Sequence, residues 1–372
     1  MKLESWEREP LWLKIITPYL RKKRFPVLTG MPEVGKWYRL NADGSVAADG
    51  EETYADFQLG TENKLMIYFM GGGVSWNEYT AARPTSVYSK NMLEGFYMLH
   101  VDLFSDLNLA KGIFEDSERN PFRNWSKLAL VYNTGDFHAG DGDFTYTALD
   151  GTRRQLHHHG FRNYRRIMEK VTARVAAPEK IMVCGCSAGG FGAALLCDDI
   201  MNQYPNCDDV TCLVDSGFFI MDDWHDIAEK VWHSPKAVSD RLVSDNITLD
   251  ALKALHHDKG DRVRILFTCS ERDSALSRME NYVETGTFGF SREGGNRFNM
   301  HLQAMCRGLR EAIPTAGLYI FNISDKSQKQ NELTVHCIIG EKAVYVHRTD
   351  GVTCMEWIER AINGNIHSYG AY

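Results

Sequence analysis

The chain has 372 residues, 44% hydrophobic and 11% aromatic, enough for a large core and too apolar for a mainly disordered chain. Its 42 basic and 49 acidic residues leave a formal net charge of −7, which gives no electrostatic basis for nucleic-acid binding. No apolar run approaches the roughly eighteen residues of a membrane span. Several of the nine cysteines, among them Cys184, Cys212 and Cys269, sit inside apolar strand-like runs, the habit of reduced, buried thiols.

The first apolar stretch, LWLKIITPYL, is short, carries Lys14 and Pro18, and follows Glu4, Glu7 and Glu9. It does not read as a secretory signal. Residues 1–60 are expected to form an amphipathic helix and a hairpin packed on the body, with the hairpin turning at Asp43-Gly44. Strand-like and helix-like segments then alternate. The strand candidates are Leu65–Met70, Leu128–Tyr132, Ile181–Cys184, Thr211–Val214, Val263–Thr268 and Leu318–Asn322. The helix candidates are Phe161–Val175, Phe191–Tyr204, Asp222–Trp232, Leu276–Val283, Asn299–Ile313 and Met355–Asn363. Short apolar strands between amphipathic helices predict a mostly parallel sheet covered on both faces, in one α/β domain spanning 1–372. Reactive groups in such sheets gather at the carboxyl ends of strands.

One strand ends in IMVCGCSAGG, in which Gly185 to Gly189 fit G-x-S-x-G and a helix rich in Ala and Leu follows. That is the strand–turn–helix setting of a nucleophile elbow. Gly185 and Gly189 remove side chains that would crowd the strained turn, Ser187 stands at its tip, and the Ala188 N–H at the helix start is placed to hold an oxyanion. A second donor is expected after an early strand. LMIYFMGGGVSWN has that form, with Gly73 as the donor and Val74 as its neighbour. The same glycines suit a phosphate loop poorly, because no Lys-Ser/Thr pair follows.

The usual order in this class is Ser, then Asp or Glu, then His. Asp215 closes TCLVDSG, and Asp273 follows RILFTCSERDS one strand later, where the acid usually lies. Asp273 is preferred and Asp215 held in reserve; an N-cap role competes for Asp273. Among thirteen histidines, His336 stands out on a polar loop beyond the strand LYIFNI. The run His157, His158 and His159 precedes Ser187 and reads as a polar loop; a metal site there needs ligands from elsewhere.

Taken together these blocks resemble the pectin acetylesterase family, which includes the animal enzyme Notum. GCSAGG resembles its nucleophile block and FMGGGVSWN its oxyanion block. KGIFEDSERNPFRNWSKLALVYNTGDFHAGD resembles its central segment, and HHGFRNYRRIMEKV, CLVDSGFF and LTVHC follow in the family's order over roughly residues 60–340. The resemblance implies an α/β-hydrolase-like fold without a separate domain. It implies Ser187 as nucleophile, Asp273 as acid, His336 as base, and Gly73, Val74 and Ala188 as oxyanion donors. The family's Trp-Cys after the glycines is Val74-Ser75 here, and its cysteine after the aromatic strand is Asn133. Loss of those cysteines agrees with a reduced, cytoplasmic protein.

The implied reaction is ester hydrolysis by a Ser-His-Asp triad, with no cofactor or metal. An acetylated oligo- or polysaccharide is the expected partner, with neither nucleic acid nor membrane. Trp76, Asn77, Asp136 and Phe137 are the candidate substrate-binding residues, with Trp125 a further aromatic candidate for the cleft. Arg153, Arg154, Arg162, Arg165 and Arg166 read as a solvated helix face rather than a patch for anionic sugar. Longer acyl esters, and an inactive carbohydrate-binding relative, are the competing readings.

Overall fold

The apolar runs come together in one twisted sheet. The computed structural model describes residues 25–85, 95–99 and 108–370. Its eight main strands are β1 (Trp37–Val46), β2 (Glu52–Gln58), β3 (Lys64–Phe69), β4 (Ser126–Leu130), β5 (Lys180–Cys186), β6 (Val210–Asp215), β7 (Val263–Ser270) and β8 (Gly317–Phe321). They lie in the order β1-β2-β4-β3-β5-β6-β7-β8. β2 runs antiparallel to both β1 and β4, and every other neighbouring pair is parallel. All six predicted strands are present. β6 is buried at every position, so both faces of the sheet are covered there.

The main helices are α1 (Gly160–Thr172), α2 (Ala188–Gln203), α3 (Ile247–Lys259), α4 (Ser274–Thr285), α5 (Arg292–Ala312) and α6 (Cys354–Ile362). α2 packs on β3, β5 and β6 and is buried at nearly every position from Ala188 to Met201. A helix this apolar all round belongs at the centre of a large protein. The nine cysteines are all unpaired, and all but Cys186 are buried. Among the described residues, no helix is long and apolar enough to cross a membrane.

Several boundaries differ from expectation. β1 runs straight through Asp43-Gly44, which forms an irregularity between the Asn41 and Val46 pairings. The hairpin instead turns over Ala47–Glu51, closed by Ala47 N–H to the Glu51 carbonyl at 2.7 Å. Gly44 (φ +76°) is therefore a bulge residue rather than a turn residue. The expected N-terminal helix falls outside the described residues. α5 begins at Arg292, seven residues before the predicted Asn299, because Ser291 caps it at the Gly294 N–H. Gly294 and Gly295, poor helix formers, hide this turn from propensity. Any side chain at Gly295 would lie 2.5 Å from Leu333. The segment Asp222–Trp232 holds only a short helix, Trp224–Asp226, followed by a π-turn over Ile227–Val231. The histidine run is no loop: Arg153–His158 is a strand paired antiparallel with Gly142–Thr147.

Candidate active site

β5 lies between β3 and β6, and its end delivers Ser187 to the carboxyl edge of the sheet. Ser187 has φ +55° and ψ −129°, a region that non-glycine residues avoid. Its surroundings hold it there. The Ser187 N–H donates to the Asp215 carbonyl at 2.8 Å, and the Ser187 carbonyl accepts from Gly190 N–H at 2.8 Å. A side chain at Gly185 would lie 2.1 Å from the Gly189 carbonyl oxygen, and one at Gly189 would lie 1.9 Å from that of Phe69. Both glycines are required by close backbone approach, as the elbow pattern predicts. Ser216 (φ +51°) and Cys337 (φ +64°) are also left-handed, so backbone strain gathers around this strand end.

The glycine loop after β3 abuts the elbow. A side chain at Gly71 would lie 2.5 Å from the Cys186 carbonyl and 2.7 Å from Ser187 Cβ. Gly73 has φ +80°, and a side chain there would meet the Phe96 carbonyl at 2.0 Å. The loop is held from behind. Tyr132 Oη donates to the Gly73 carbonyl at 2.7 Å and accepts from Phe137 N–H at 3.0 Å. His138 Nε2 donates to the Met70 carbonyl at 2.9 Å. Burial pushes His138 down to about 4, so it serves as a neutral strut. One expected donor is corrected: Val74 N–H is spent on the Phe96 carbonyl at 2.7 Å. Among the described residues, no acceptor takes up the N–H of Gly73 or of Ala188, the first residue of α2.

Beyond β7, Asp273 is fully buried and performs two tasks at once. Its Oδ1 accepts from Ala275 and Leu276 N–H at 3.0 Å each, capping α4. The same carboxylate accepts from His336 Nδ1, at 2.8 Å to Oδ2. Capping and a histidine partner, rivals on sequence grounds, coincide in one carboxylate. A backbone bridge between Asp273 and Thr334 sets the histidine loop in register. It carries Ser274 N–H to the Thr334 carbonyl at 2.9 Å and Thr334 N–H to the Arg272 carbonyl at 3.0 Å. Ser270 Oγ adds a bond to the Val335 carbonyl at 2.7 Å. Burial lowers the His336 pKa, but the charge and hydrogen bond of Asp273 outweigh it, so the net shift is upward. The His336 side chain keeps 24% exposure.

Asp215 is held by other donors than an imidazole. Its Oδ2 accepts from Ile338 and Ile339 N–H at 2.8 Å each, and its Oδ1 accepts from Ser216 Oγ at 3.1 Å. The residue whose carbonyl holds Ser187 thus also holds the chain just past His336. Burial raises Asp215 to about 6, against the opposing pull of those backbone bonds.

The candidate substrate-binding residues divide. Trp76 is partly buried and packs edge-on to Phe96 at 5.2 Å. Asn77 is exposed, with its side-chain oxygen capping a short helix at the Thr80 N–H. Asp136 and Phe137 are not on a surface. The Asp136 carboxylate is buried and taken up by Thr134 Oγ1 and the N–H groups of His138, Gly140 and Gly160. Phe137 stacks on Phe191 at 4.1 Å inside the core. Trp125 is core as well, packed on Phe122. Within the arginine cluster, Arg154, Arg162 and Arg165 are paired with Asp150, Asp141 and Asp199. Tyr132 and Ser270 also brace the site; as single buried polar residues in apolar strands they give no periodic or spacing signal.

The sheet, elbow and buried Asp-His pair define an α/β-hydrolase-like protein. Residues 41–245, just over half of the chain, match the pectinacetylesterase family, and the chain belongs to that family. It is similar to pectin acetylesterase 11 of Arabidopsis thaliana, with 28% identity over 183 residues, 48% of this chain and 44% of that protein. Pectin acetylesterase 5 of the same plant is 29% identical over 182 residues, 48% of this chain and 40% of that protein. The matches thus span less than half the length of these curated relatives. The fold is shared with the Wnt deacylase Notum from Drosophila, at 15% identity and a TM-score of 0.55, covering 86% of this chain and 91% of that one. A second crystal form gives a TM-score of 0.56. The family match ends before Asp273 and His336, so their pairing rests on the geometry above.

Proposed function

We propose that the protein is a serine carboxylic-ester hydrolase, acting as an O-acetylesterase on acetylated oligo- or polysaccharides. The observation that carries this is the His336–Asp273 pair at 2.8 Å, latched through Asp215 to the strained elbow of Ser187. His336 takes the Ser187 Oγ proton as Oγ attacks the acyl carbonyl. Asp273 holds the ring with Nδ1–H inward and stabilises the imidazolium. The N–H groups of Gly73 and Ala188 receive the oxyanion. His336 then protonates the leaving sugar oxygen, and a water activated by His336 releases acetate from Ser187. Membership of the pectinacetylesterase family supports the acetyl-sugar substrate. Trp76 and Asn77, beside the glycine loop, are the residues proposed to meet it. The nine free thiols support a reducing, cytoplasmic setting.

Deacylation of longer esters has one observation in its favour. An aromatic cluster beside the glycine loop joins Trp76, Phe96, Tyr282 and Phe288, with Phe96–Phe288 at 4.8 Å and Tyr282–Phe288 at 4.6 Å. A rate series over acyl length, run beside acetate release from acetylated pectic oligosaccharides, tests the reading. Fastest turnover on acetyl esters is expected; a clear preference for long chains overturns the acetyl assignment.

A further inference from the structure

The histidine run takes no part in the ester chemistry, yet its geometry is ordered. On the hairpin, Asp143 stands directly opposite His157. His157 and His159, two residues apart, can share one face, because side chains of an extended chain alternate. Both rings reach the same oxygen: His157 Nδ1 and His159 Nε2 each donate to Asp143 Oδ1, at 2.7 and 2.8 Å. One ligand atom from each residue falls within 4.8 Å of the others. Two imidazole nitrogens converging on one carboxylate oxygen is what a metal-binding triad looks like with protons in place of the ion.

The His159 ring is the deeper of the two, its side chain 9% exposed against 25% for His157. Its Nδ1 makes no hydrogen bond, so the polar contacts of the ring lie on the Asp143 side. Arg162 is the opposing feature, with Nη1 3.5 Å from His159 Nε2. Its charge is matched by Asp141, which it grips through Oδ1 at 2.7 Å and the carbonyl at 2.6 Å. The net local charge an ion meets is that of Asp143.

We propose that Asp143, His157 and His159 bind one divalent transition-metal ion of the zinc class, clipping the hairpin to the start of α1. An N,N,O donor set suits zinc better than magnesium or calcium, which take oxygen ligands. Metal–ligand distances of about 2.0–2.2 Å require the three atoms to spread by roughly half an ångström. Each neutral ring then carries its one proton on the nitrogen away from the ion, and solvent water completes the coordination shell.

The test uses the full chain, stripped with chelator and dialysed, and titrated with zinc by calorimetry. Cobalt absorption provides an independent readout of the donor set. One ion per chain is expected, with affinity weakened by about 100-fold or more in His157→Ala. The quarter-exposed His157 side chain makes that variant a folded control, checked by its metal-free melting temperature. Arg162→Gln is expected to tighten binding by removing the opposing charge. Zinc should raise the melting temperature of the wild type but not of His157→Ala. Equal zinc affinity in the wild type and His157→Ala, or no response to Arg162→Gln, overturns the proposal.

Discussion

Asp215 and Asp273 lie at or just past the ends of neighbouring strands, β6 and β7, and both are fully buried. One binds backbone; the other binds a histidine. Asp215 gathers the N–H groups of Ile338 and Ile339, while Asp273 caps α4 and faces His336. A buried carboxylate takes its role from the donors aimed at it, and depth in the sheet says nothing about which. Asp273 is the proposed acid because the Asp273–Thr334 bridge brings the histidine loop to it. Asp215 is a latch that ties the same loop to the backbone of Ser187.

That contrast can be broken at its common point. Ser187→Ala should lower kcat on an activated acetyl ester by on the order of 10⁴ to 10⁶, with an unchanged melting temperature. Next in size is Asp273→Asn, expected to cost on the order of 10⁴ in kcat through loss of the correct imidazole tautomer. Its side-chain oxygen can still cap α4, so circular dichroism should report a folded protein. Gly73→Ala should cost about a hundredfold or more, since the new methyl meets the Phe96 carbonyl at 2.0 Å and displaces the proposed oxyanion donor.

Two smaller effects sharpen the comparison. His336 must be neutral to act as the proposed base, and Asp273 raises its pKa from the ordinary value of 6.5. The acid limb of kcat/KM should therefore lie above that value in the wild type, with activity rising as pH climbs through it. Weakening the ion pair with Asp273→Asn should move the limb down. Asp215→Asn should stay within about tenfold of wild-type kcat, because an amide oxygen can still accept the loop N–H groups. Its folded-state pKa of about 6 lies above the usual 3.8, so ionisation costs the wild type stability as pH rises between these values. Melting temperatures measured across that range should fall for the wild type relative to Asp215→Asn.

The parallel strands and the elbow were legible in the sequence because apolar runs and G-x-S-x-G carry strong local signals. Asp273 was legible as a candidate acid or a cap; that it both caps α4 and meets His336 depends on a bridge to Thr334 sixty-one residues away, which no local pattern encodes. Val74 was misread because the partner of its N–H, the Phe96 carbonyl, belongs to a distant segment. Asp136 and Phe137 looked like a polar, aromatic loop, yet both turn inward to build the wall behind the glycine loop. Gly44 passed for a turn residue because a bulge and a turn ask the same left-handed freedom of a glycine.

In the proposed mechanism Ser187 is an activated nucleophile driven by the Asp273–His336 pair. Treating the wild type, Asp273→Asn and Asp215→Asn with a fluorophosphonate and locating the adduct by peptide mass spectrometry tests it directly. One adduct is expected, on Ser187, formed rapidly in the wild type and Asp215→Asn and far more slowly in Asp273→Asn. Labelling at another residue, or loss of labelling in Asp215→Asn alone, would contradict it.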